Sequence, residues 1–520
     1  MAKHEKNTKK SWWGLVAICL AIFMALLDVT VVNVALPTIQ RSFNVSFTEL
    51  QWIINAYTLM YASSLLVISK LGDIFGRRRV FIASLIVFTL GSLAASMSND
   101  INSLIIFRAI QGIGGSGMMS LSMSIVTDLF DGKQRGIALG IWGSVAGLST
   151  ASGPLLGGVL IQYFSWRSIF IVNIPVGVIA LLMSFAFLPN DNRFSKSKID
   201  YFGIIVSTAM MFCLILGLIE KENHYDYSWF NGSIASLIGT ALVLLVVFIF
   251  WELRAKSPMM DLSMFRSTSF IGACISSFAL GGFLYAFYTY LTVLMQNYMQ
   301  YTALQTGLRQ MLISCFSLFL GPIAGALTNR FSTKYIISFS LAVLGLGMLF
   351  FRLNLGFSST WEVMILSFVM FGIGNSVINP SISTTAVSSV QPRQIGMASG
   401  VVNVFRQGGT SFGVVILGLS LTGAYRDHIT SGFSQIANLP TSIHQGLLKG
   451  LFSAGPFSGN AVLNSQRAQA LHHLPFFDSI NTVVNHAYYI GMNSVSTVAA
   501  AVFFVSAILC FILIKRYKRA

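Results

Sequence analysis

Residues 12–37 read WWGLVAICLAIFMALLDVTVVNVALP, an almost entirely apolar stretch that contains a single carboxylate, Asp28. The stretch is longer than the roughly 20 residues that an α-helix needs to cross a bilayer. A charged side chain at that depth costs about 2.5 to 3.5 kcal/mol on insertion scales, and intramembrane carboxylates usually serve proton or ion relays. The stretch therefore predicts a membrane-spanning helix with a functional acid inside it.

The same apolar pattern recurs along the whole chain. Of the 520 residues, 54% are hydrophobic and only 10% are charged, whereas ordinary soluble domains are about 25% charged. The composition predicts an all-α polytopic membrane protein, and the first span is too long for a cleaved signal peptide. Runs of about 20 apolar residues predict fourteen spans, at 12–36, 50–70, 78–98, 101–127, 134–162, 166–188, 202–220, 230–252, 268–296, 303–329, 334–354, 361–388, 395–423 and 493–514.

The basic residues lie in short clusters between these spans. The net charge of +16 alone would suggest a nucleic-acid partner, but Lys and Arg fall mainly on alternate loops. The tails and loops of one side carry 23 of them against 7 on the other side, which is the positive-inside pattern of membrane proteins. The distribution predicts a multi-pass protein of the cell membrane with both termini in the cytoplasm and no nucleic-acid partner.

An internal repeat relates two parts of the chain. At an offset of 260 residues, KQRG at 133–136 matches RQIG at 393–396, and five glycines match five others: Gly112, Gly114, Gly140, Gly153 and Gly158 with Gly372, Gly374, Gly400, Gly413 and Gly418. A weaker match, at an offset of 256 residues, relates KLGDIFGRRRV (70–80) to ALTNRFSTKYI (326–336). Duplicated halves are typical of secondary transporters, whose substrate site lies between them.

The repeat predicts how the chain is divided. We expect six-helix halves at 12–190 and 263–514, two inserted helices at 191–262, and cytoplasmic tails at 1–11 and 515–520. The second half includes an external loop at 424–492, which could form a hairpin or a small helical cap.

The loop after the second span contains Gly72, Asp73, Gly76, Arg77 and Arg78. The glycines permit a tight turn between two helices. Asp73 can pair with an arginine of the loop or of a neighbouring helix, and such a pair can latch one conformation. The alternative is that these arginines only set the topology.

Two further spans carry unusual residues. Arg108 lies a turn or two inside the fourth span, where a guanidinium needs a carboxylate or polar partner. Asp28 is the candidate partner, and the alternative is that Arg108 extends to the external interface. The fifth span has small residues that permit close helix contacts, and a Gly-Pro pair that permits a bend. Ordinary close packing explains these residues equally well. They are Gly143, Gly147, Gly153, Pro154, Gly157 and Gly158.

Several of these stretches together resemble one family. LDVTVVNVALP (27–37), KLGDIFGRRRV (70–80), FRAIQGIGGSG (107–117) and SGPLLGG (152–158) resemble, in order and place, the signature motifs of the major facilitator superfamily. With NVFRQGGTSFG (403–413), they are similar to its fourteen-span drug:proton antiporters. SGPLLGG resembles the motif associated with antiport rather than uptake.

The resemblance implies a fold and an activity. The fold would be the major facilitator fold, with two six-helix halves and two inserted helices. The protein would be a monomeric antiporter rather than an enzyme, would use no cofactor or metal, and would export hydrophobic drugs or other small amphipathic compounds in exchange for protons. Asp28 would carry the proton, with Arg108 as its modulator. A dedicated exporter of one endogenous metabolite, peptide or lipid would share every motif, whereas the paired halves and the intramembrane acid argue against a membrane sensor or scaffold.

We expect a substrate cavity that is apolar and aromatic with few polar anchors. The resemblance also implies that exporters of dications carry further acids in second-half spans, whereas here Arg406 lies within span 13 and the interiors of spans 9, 10, 12 and 13 have no acid. That balance suits neutral, zwitterionic, monocationic or anionic substrates better than dications. The cavity candidates are Asn33, Trp52, Asn55, Tyr57, Tyr61, Phe283, Tyr285, Tyr288, Tyr290, Asn375, Asn379 and Arg406.

Overall fold

The computed structural model describes residues 8–516 except 44, 46, 191–199, 225, 256, 257, 259, 329, 358, 392, 393, 437–439, 460–462 and 464–474. Helices are the only regular secondary structure in these residues. They are α1 (Thr8–Phe43), α2 (Phe47–Phe75), α3 (Arg77–Ser96), α4 (Ile101–Leu129), α5 (Gly132–Tyr163), α6 (Ser168–Phe187), α7 (Tyr201–Asn223), α8 (Gly232–Glu252), α9 (Thr268–Tyr298), α10 (Ala303–Leu327), α11 (Thr333–Asn354), α12 (Trp361–Ser388), α13 (Ile395–Ser434), α14 (Thr441–Ala454) and α15 (Phe477–Leu513).

A helix occupies each of the fourteen positions where the sequence predicts a span, and α14 lies in the predicted external loop. Among the described residues, twelve helices are long and apolar enough to cross a membrane. The other two, α5 and α10, have 32 and 25 residues. The all-α polytopic fold is therefore confirmed, and the count of fourteen crossings stays a prediction.

The predicted loop at 424–492 is too long. Helix α13 continues to Ser434 and α15 begins at Phe477, because both helices extend well past the apolar runs from which the spans were predicted. Part of the loop is helical, as one of the two expectations had it, since α14 covers Thr441–Ala454.

Helices α1–α6 pack on one another, and α9–α13 do so with α15. Two seams join these groups, one between α5 and α10 and the other between α2 and α13. Helices α7 and α8 form a pair, and α7 also contacts both α2 and α13. Leu59 and Ala62 of α2 pack there against Met210 and Met211 of α7, so the paired helices cover the α2–α13 seam.

The sequence repeat reappears in the helix contacts. A methyl group added at Gly112 of α4 would lie 2.5 Å from the backbone oxygen of Tyr57 in α2. One added at Gly372 of α12 would lie 2.7 Å from the backbone oxygen of Ile313 in α10. The glycines are 260 residues apart and their partners 256, the two offsets found in the sequence. Each half therefore brings its second and fourth helices together through a matching glycine.

The two seams repeat in the same way. In the α5–α10 seam, a methyl group added at Gly325 would collide with the backbone oxygen of Gly136. In the α2–α13 seam, the Ser69 hydroxyl donates a hydrogen bond of 3.0 Å to the backbone oxygen of Gly396. Gly136 and Gly396 are again 260 residues apart, and Ser69 and Gly325 are 256 apart. At equivalent positions, the α2–α13 seam thus has the polar side chain of Ser69, whereas the α5–α10 seam has Gly325, which has no side chain.

We name the two ends of the bundle by residues that lie there. The Asp73 end holds the turn between α2 and α3 and the start of α13. The Arg426 end holds α14 and the turn between α7 and α8, where Arg426 forms an ion pair with Asp226. The charge distribution predicts that the Asp73 end is cytoplasmic and the Arg426 end external.

Candidate functional site

Asp28 lies at the centre of a buried polar network in the first half. Its side chain has no exposed surface, and its Oδ2 forms an ion pair with Arg108, whose side chain is 1% exposed. Its Oδ1 accepts hydrogen bonds of 3.0 Å from Gln111 Nε2 and 3.0 Å from Asn173 Nδ2. The predicted pairing of Arg108 with Asp28 is therefore present, and Arg108 does not extend to the interface.

The partners of Asp28 are themselves held in place. Arg108 Nη1 donates to Gln111 Oε1 at 2.7 Å, and its Nε donates to the backbone oxygen of Ile53 at 3.3 Å. The guanidinium carbon lies 4.3 Å from the centre of the Tyr57 ring. Asn173 Nδ2 also donates to Ser92 Oγ at 3.0 Å. A buried ion pair is tolerated when further hydrogen bonds satisfy both partners. Five helices contribute residues to this network: α1, α2, α3, α4 and α6.

Sequence reasoning found Asp28 and Arg108 but missed Gln111, Asn173 and Ser92. Gln111 follows Arg108 by three residues, so the two side chains share one face of α4. Asn173 is the one amide side chain in the largely apolar helix α6. Both signals were available, although an uncharged amide is a weaker sign of function than an embedded charge.

A second group of charges lies at the Asp73 end. Asp73 Oδ1 accepts hydrogen bonds from Arg77 Nε at 3.2 Å and Nη2 at 3.1 Å, and Arg77 Nη1 donates to Asp128 Oδ2 at 2.8 Å. A methyl group added at Gly396 would collide with Asp73 Oδ1. The carboxylate of Asp73 therefore lies against the first turn of α13, where the helix dipole favours a negative charge.

Of the neighbours of Asp73, Gly76 has the predicted role in the turn between α2 and α3, whereas Gly72 and Arg78 have other roles. Gly76 precedes α3 with φ of 102°, a backbone conformation that favours glycine. Gly72 lies inside α2, where an added methyl group would collide with Leu121, so the prediction that it belongs to the turn is wrong. Arg78 Nη2 donates to the backbone oxygen of Phe185 at 2.7 Å and so joins α3 to the end of α6.

The glycines of α5 connect the Asp28 helix to the second half. Methyl groups added at Gly153 and Gly157 would collide with Thr30 and Val31 of α1. One added at Gly143 would lie 3.2 Å from Asn379 Cβ in α12. Gly147 and Gly158 are buried, and the side chain of Pro154 lies outside the described residues, so the predicted bend is still a prediction.

Polar side chains of α9 and α12 form a cluster in the second half. Asn379 Nδ2 donates to Asn375 Oδ1 at 3.0 Å, and Tyr285 OH donates to the same oxygen at 3.3 Å. Among the described residues, Asn379 Oδ1 and the Tyr288 hydroxyl are buried with no hydrogen-bond partner. Buried polar atoms are nearly always satisfied by protein or ordered water, so each of these two can take one further hydrogen bond.

Helix α9 is irregular where these side chains arise. It contains two π-helical segments, Leu280–Tyr285 and Leu294–Tyr298, and such segments frequently occur at functional sites. A methyl group added at Gly281 or Gly282 would press on the backbone of α13, the first at Arg406. The sequence analysis missed these segments, because a single extra residue per turn leaves the apolar pattern almost unchanged.

Arg406 occupies a different environment from Arg108. Its side chain is 8% exposed, and its Nε is buried with no hydrogen-bond partner in the described part of the chain. It belongs to α13, which contacts α2, and in α2 the Tyr61 ring stacks on Tyr57 at a centroid distance of 5.8 Å. Arg406 is therefore a buried residue of one of the two helices that form the α2–α13 seam.

The structure separates the predicted cavity residues. In this conformation Asp28 and Arg108 are enclosed within the first half, and Arg406 of α13 is not among the described partners of either. The Tyr57 ring lies against Arg108 in their network. The Tyr290 hydroxyl donates a hydrogen bond to the backbone oxygen of Val414 inside the second half. Trp52 and Asn55 are half-buried near the start of α2 and Phe283 is buried, whereas the side chain of Asn33 lies outside the described residues.

Comparison with known proteins places the chain among transporters. The family model described as Major Facilitator Superfamily matches residues 18–414. The Mycobacterium tuberculosis "Multidrug resistance protein Stp" is 32% identical over 409 residues, which are 78% of this chain and 74% of that protein. "Riboflavin transporter RibZ" of Clostridioides difficile is 29% identical over 405 residues, 76% of this chain and 85% of that protein.

A solved structure agrees on the fold. The proton:xylose symporter XylE superposes with a TM-score of 0.62 at 12% identity, covering 98% of this chain and 97% of that one. At this identity the likeness concerns the fold alone.

Proposed function

The chain belongs to the major facilitator superfamily, and on that premise we propose that it is a proton-coupled antiporter that exports hydrophobic drugs or other small amphipathic compounds across the cell membrane. The name of the Stp relative supports drug export. The observation that carries the proposal is the Asp28 network, because a fully buried carboxylate with an arginine and two amide donors is costly to build for packing alone.

Asp28 is the proposed proton carrier. In the described conformation both of its oxygens accept hydrogen bonds, and the side chain has no exposed surface. This arrangement suits the carboxylate, so protonation needs a second arrangement in which the network opens. A proton shifts a conformational equilibrium only by binding the two states unequally. In this proposal Asp28 binds a proton more readily when the network is open than when it is closed.

The helix contacts suggest how protonation would reach the substrate. Helix α1 carries Asp28 and packs through Thr30 and Val31 on the glycines of α5, and α5 forms one of the two seams. A change around Asp28 would therefore move α5 against α10. Rocking of two halves about a site between them is the general mode of such transporters, and we propose that the Asp73–Arg77–Asp128 group opens and closes the Asp73 end.

The test is proton-driven efflux of N-phenyl-1-naphthylamine, a neutral aromatic probe, from a host lacking its own pumps. We expect Asp28→Asn, which preserves size but cannot release a proton, to reduce efflux to the background rate. Asp100→Asn is the matched control, because Asp100 caps α4 by accepting from Ser103 N at 2.9 Å and asparagine caps a helix equally well. Full proton-driven efflux by the Asp28→Asn variant would refute the proposal.

A dedicated exporter of one metabolite is the second candidate function. The relative named a riboflavin transporter, which is similar to this chain over most of its length, supports a single metabolite as the substrate. A panel of chemically unrelated compounds in the same host distinguishes the two. Resistance to several of them supports a multidrug pump, and resistance to none, with export of a single metabolite, supports the alternative.

A further inference from the structure

We infer that Arg406 is the substrate-binding residue that selects organic anions, so that the exported compounds include amphipathic aromatic molecules with a carboxylate or sulfonate group. The inference rests on the proposed export function and adds the charge class of the substrate.

The first step is the charge of the membrane interior. Asp28 is neutralised by Arg108, and its second oxygen is occupied by two amides. The other acids described in α9–α13 and α15, such as Glu362 and Asp427, lie near helix ends. Arg406 forms no ion pair with any described residue. Arg309 of α10 forms none there either, but it lies within two turns of the start of its helix, and its Nη1 donates to the backbone oxygen of Gln305 at 3.0 Å. Arg406 is therefore the deeper of the two arginines without a described counterion.

The second step is the depth of Arg406. It follows the first residue of α13 by eleven positions, which places it about 16 Å along the helix at 1.5 Å per residue. That is close to the middle of a hydrocarbon core of about 30 Å. Substrate sites of secondary transporters lie near this depth at the interface of the repeats, and Arg406 belongs to α13, one of the two helices that form the α2–α13 seam between the two halves.

The third step is the cost of leaving the charge unpaired. Burying an ion costs several kcal/mol unless a partner compensates it, and Nε of Arg406 has no described partner. A bound anion would supply that partner. The planar guanidinium can donate two parallel hydrogen bonds to a carboxylate or sulfonate, a geometry that a lysine cannot reproduce.

The fourth step concerns the rest of the ligand. Gly281 of α9 packs against the backbone of Arg406, and Tyr285 follows Gly281 by one helical turn. Tyr285 belongs to the cluster that leaves Asn379 Oδ1 and the Tyr288 hydroxyl unsatisfied. Helix α13 also contacts α2, which carries Tyr61. The surroundings thus offer aromatic surface and hydrogen-bonding groups beside the cation, as an amphipathic aromatic anion requires.

Two fluorescent probes that share one ring system and differ by a single sulfonate group test the inference. 8-Anilino-1-naphthalenesulfonate has the ring system of N-phenyl-1-naphthylamine with one sulfonate added. We measure the binding of both to the purified full-length protein in lipid nanodiscs. Arg406→Gln should weaken binding of the sulfonate about tenfold or more, the loss expected for a charged hydrogen bond, and leave binding of the neutral probe unchanged.

Two further variants complete the design. Arg406→Lys keeps the charge and should retain most of the sulfonate binding while losing the bidentate geometry. Arg352→Gln is the matched control, because Arg352 is exposed near the end of α11, and it should bind both probes like the wild type. Equal loss of both probes in Arg406→Gln would mean a structural role, and no loss of either would mean that the anion binds elsewhere. Both outcomes overturn the inference.

The readout is separate from that of the export proposal. Binding in nanodiscs needs no proton gradient, so the inference can fail while N-phenyl-1-naphthylamine is still exported. Conversely, charge-selective binding at Arg406 with no export of any compound would overturn the proposed function and leave the binding residue in place.

Discussion

The two halves of the molecule share their backbone contacts and differ in their charges. Gly112 and Gly372 each meet the second helix of their own half, and Gly114 and Gly374 each meet the third, at the backbone oxygens of Ser84 and Ser340. The buried charges do not repeat. The first half encloses an acid with its arginine, whereas the buried Arg406 of the second half forms no ion pair with any residue that the structure describes.

The helix contacts locate the position in the second half that corresponds to Asp28. Gly153 meets Thr30 of α1, and Gly413 meets Gly282 of α9. Thr30 and Gly282 are 252 residues apart, so the counterpart of Asp28 is Leu280, where the first π-helical segment begins. Duplication therefore preserved the packing of the halves while their polar groups diverged. We interpret the divergence as a division of labour, with the proton in the first half and the substrate charge in the second.

The largest expected effect compares the two arginines. Arg108→Ala leaves Asp28 buried without its cation, and loss of one partner of a buried pair costs about 3 to 5 kcal/mol. Arg406→Ala removes a charge that has no described counterion, so it should leave stability unchanged or raise it slightly. Thermal unfolding of both variants in detergent, without substrate, measures the difference. Equal losses would show that Arg406 is as firmly paired as Arg108.

A second comparison tests the shared backbone contacts. Gly112→Ala and Gly372→Ala each force a methyl group against a backbone oxygen, at 2.5 and 2.7 Å, and overpacking of this kind costs about 1 to 3 kcal/mol. We expect similar losses of thermal stability in the two variants. Gly239→Ala is the control, because a methyl group there meets nothing within 4 Å. A loss in only one of the pair would show that the repeat no longer extends to the packing.

These comparisons also show what the sequence can and cannot predict. Apolar runs locate the helices, and the glycine offsets predict contacts that the structure contains, because both reflect packing along the whole chain. The Asp28–Arg108 pair is predictable since two embedded charges need each other. The separation of Arg406 from that pair is not, because an apolar helix shows no periodicity to indicate which neighbour a polar side chain faces. Helix α13 extends past its apolar run because hydropathy indicates only the part of a helix that lies in the membrane and not the full length of the helix.

The smallest expected effect concerns Arg426, twenty residues after Arg406 on the same helix. Its hydrogen bonds to Asp226 hold the pKa of that carboxyl below its usual range. The pair therefore adds stability above the usual pKa of about 3.9, and this stability is lost as the pH falls through the lowered pKa. Asp226 is 72% exposed, so the contribution is at most about 1 kcal/mol.

The check is the difference in melting temperature between the wild type and Asp226→Asn, which should be small at pH 7, should shrink once the pH falls below about 4, and should vanish below the lowered pKa of Asp226. Asp427→Asn, at the exposed neighbouring position, is the control. A difference that persists unchanged in acid would contradict the assigned role of the pair.

The most direct test of the division of labour is substrate-dependent proton movement in proteoliposomes that contain a trapped pH indicator. We predict that addition of N-phenyl-1-naphthylamine moves protons through the wild type and through Arg406→Gln, because this probe does not need the arginine. Asp28→Asn should move none. Proton movement by the Asp28→Asn variant at the wild-type rate would contradict the account.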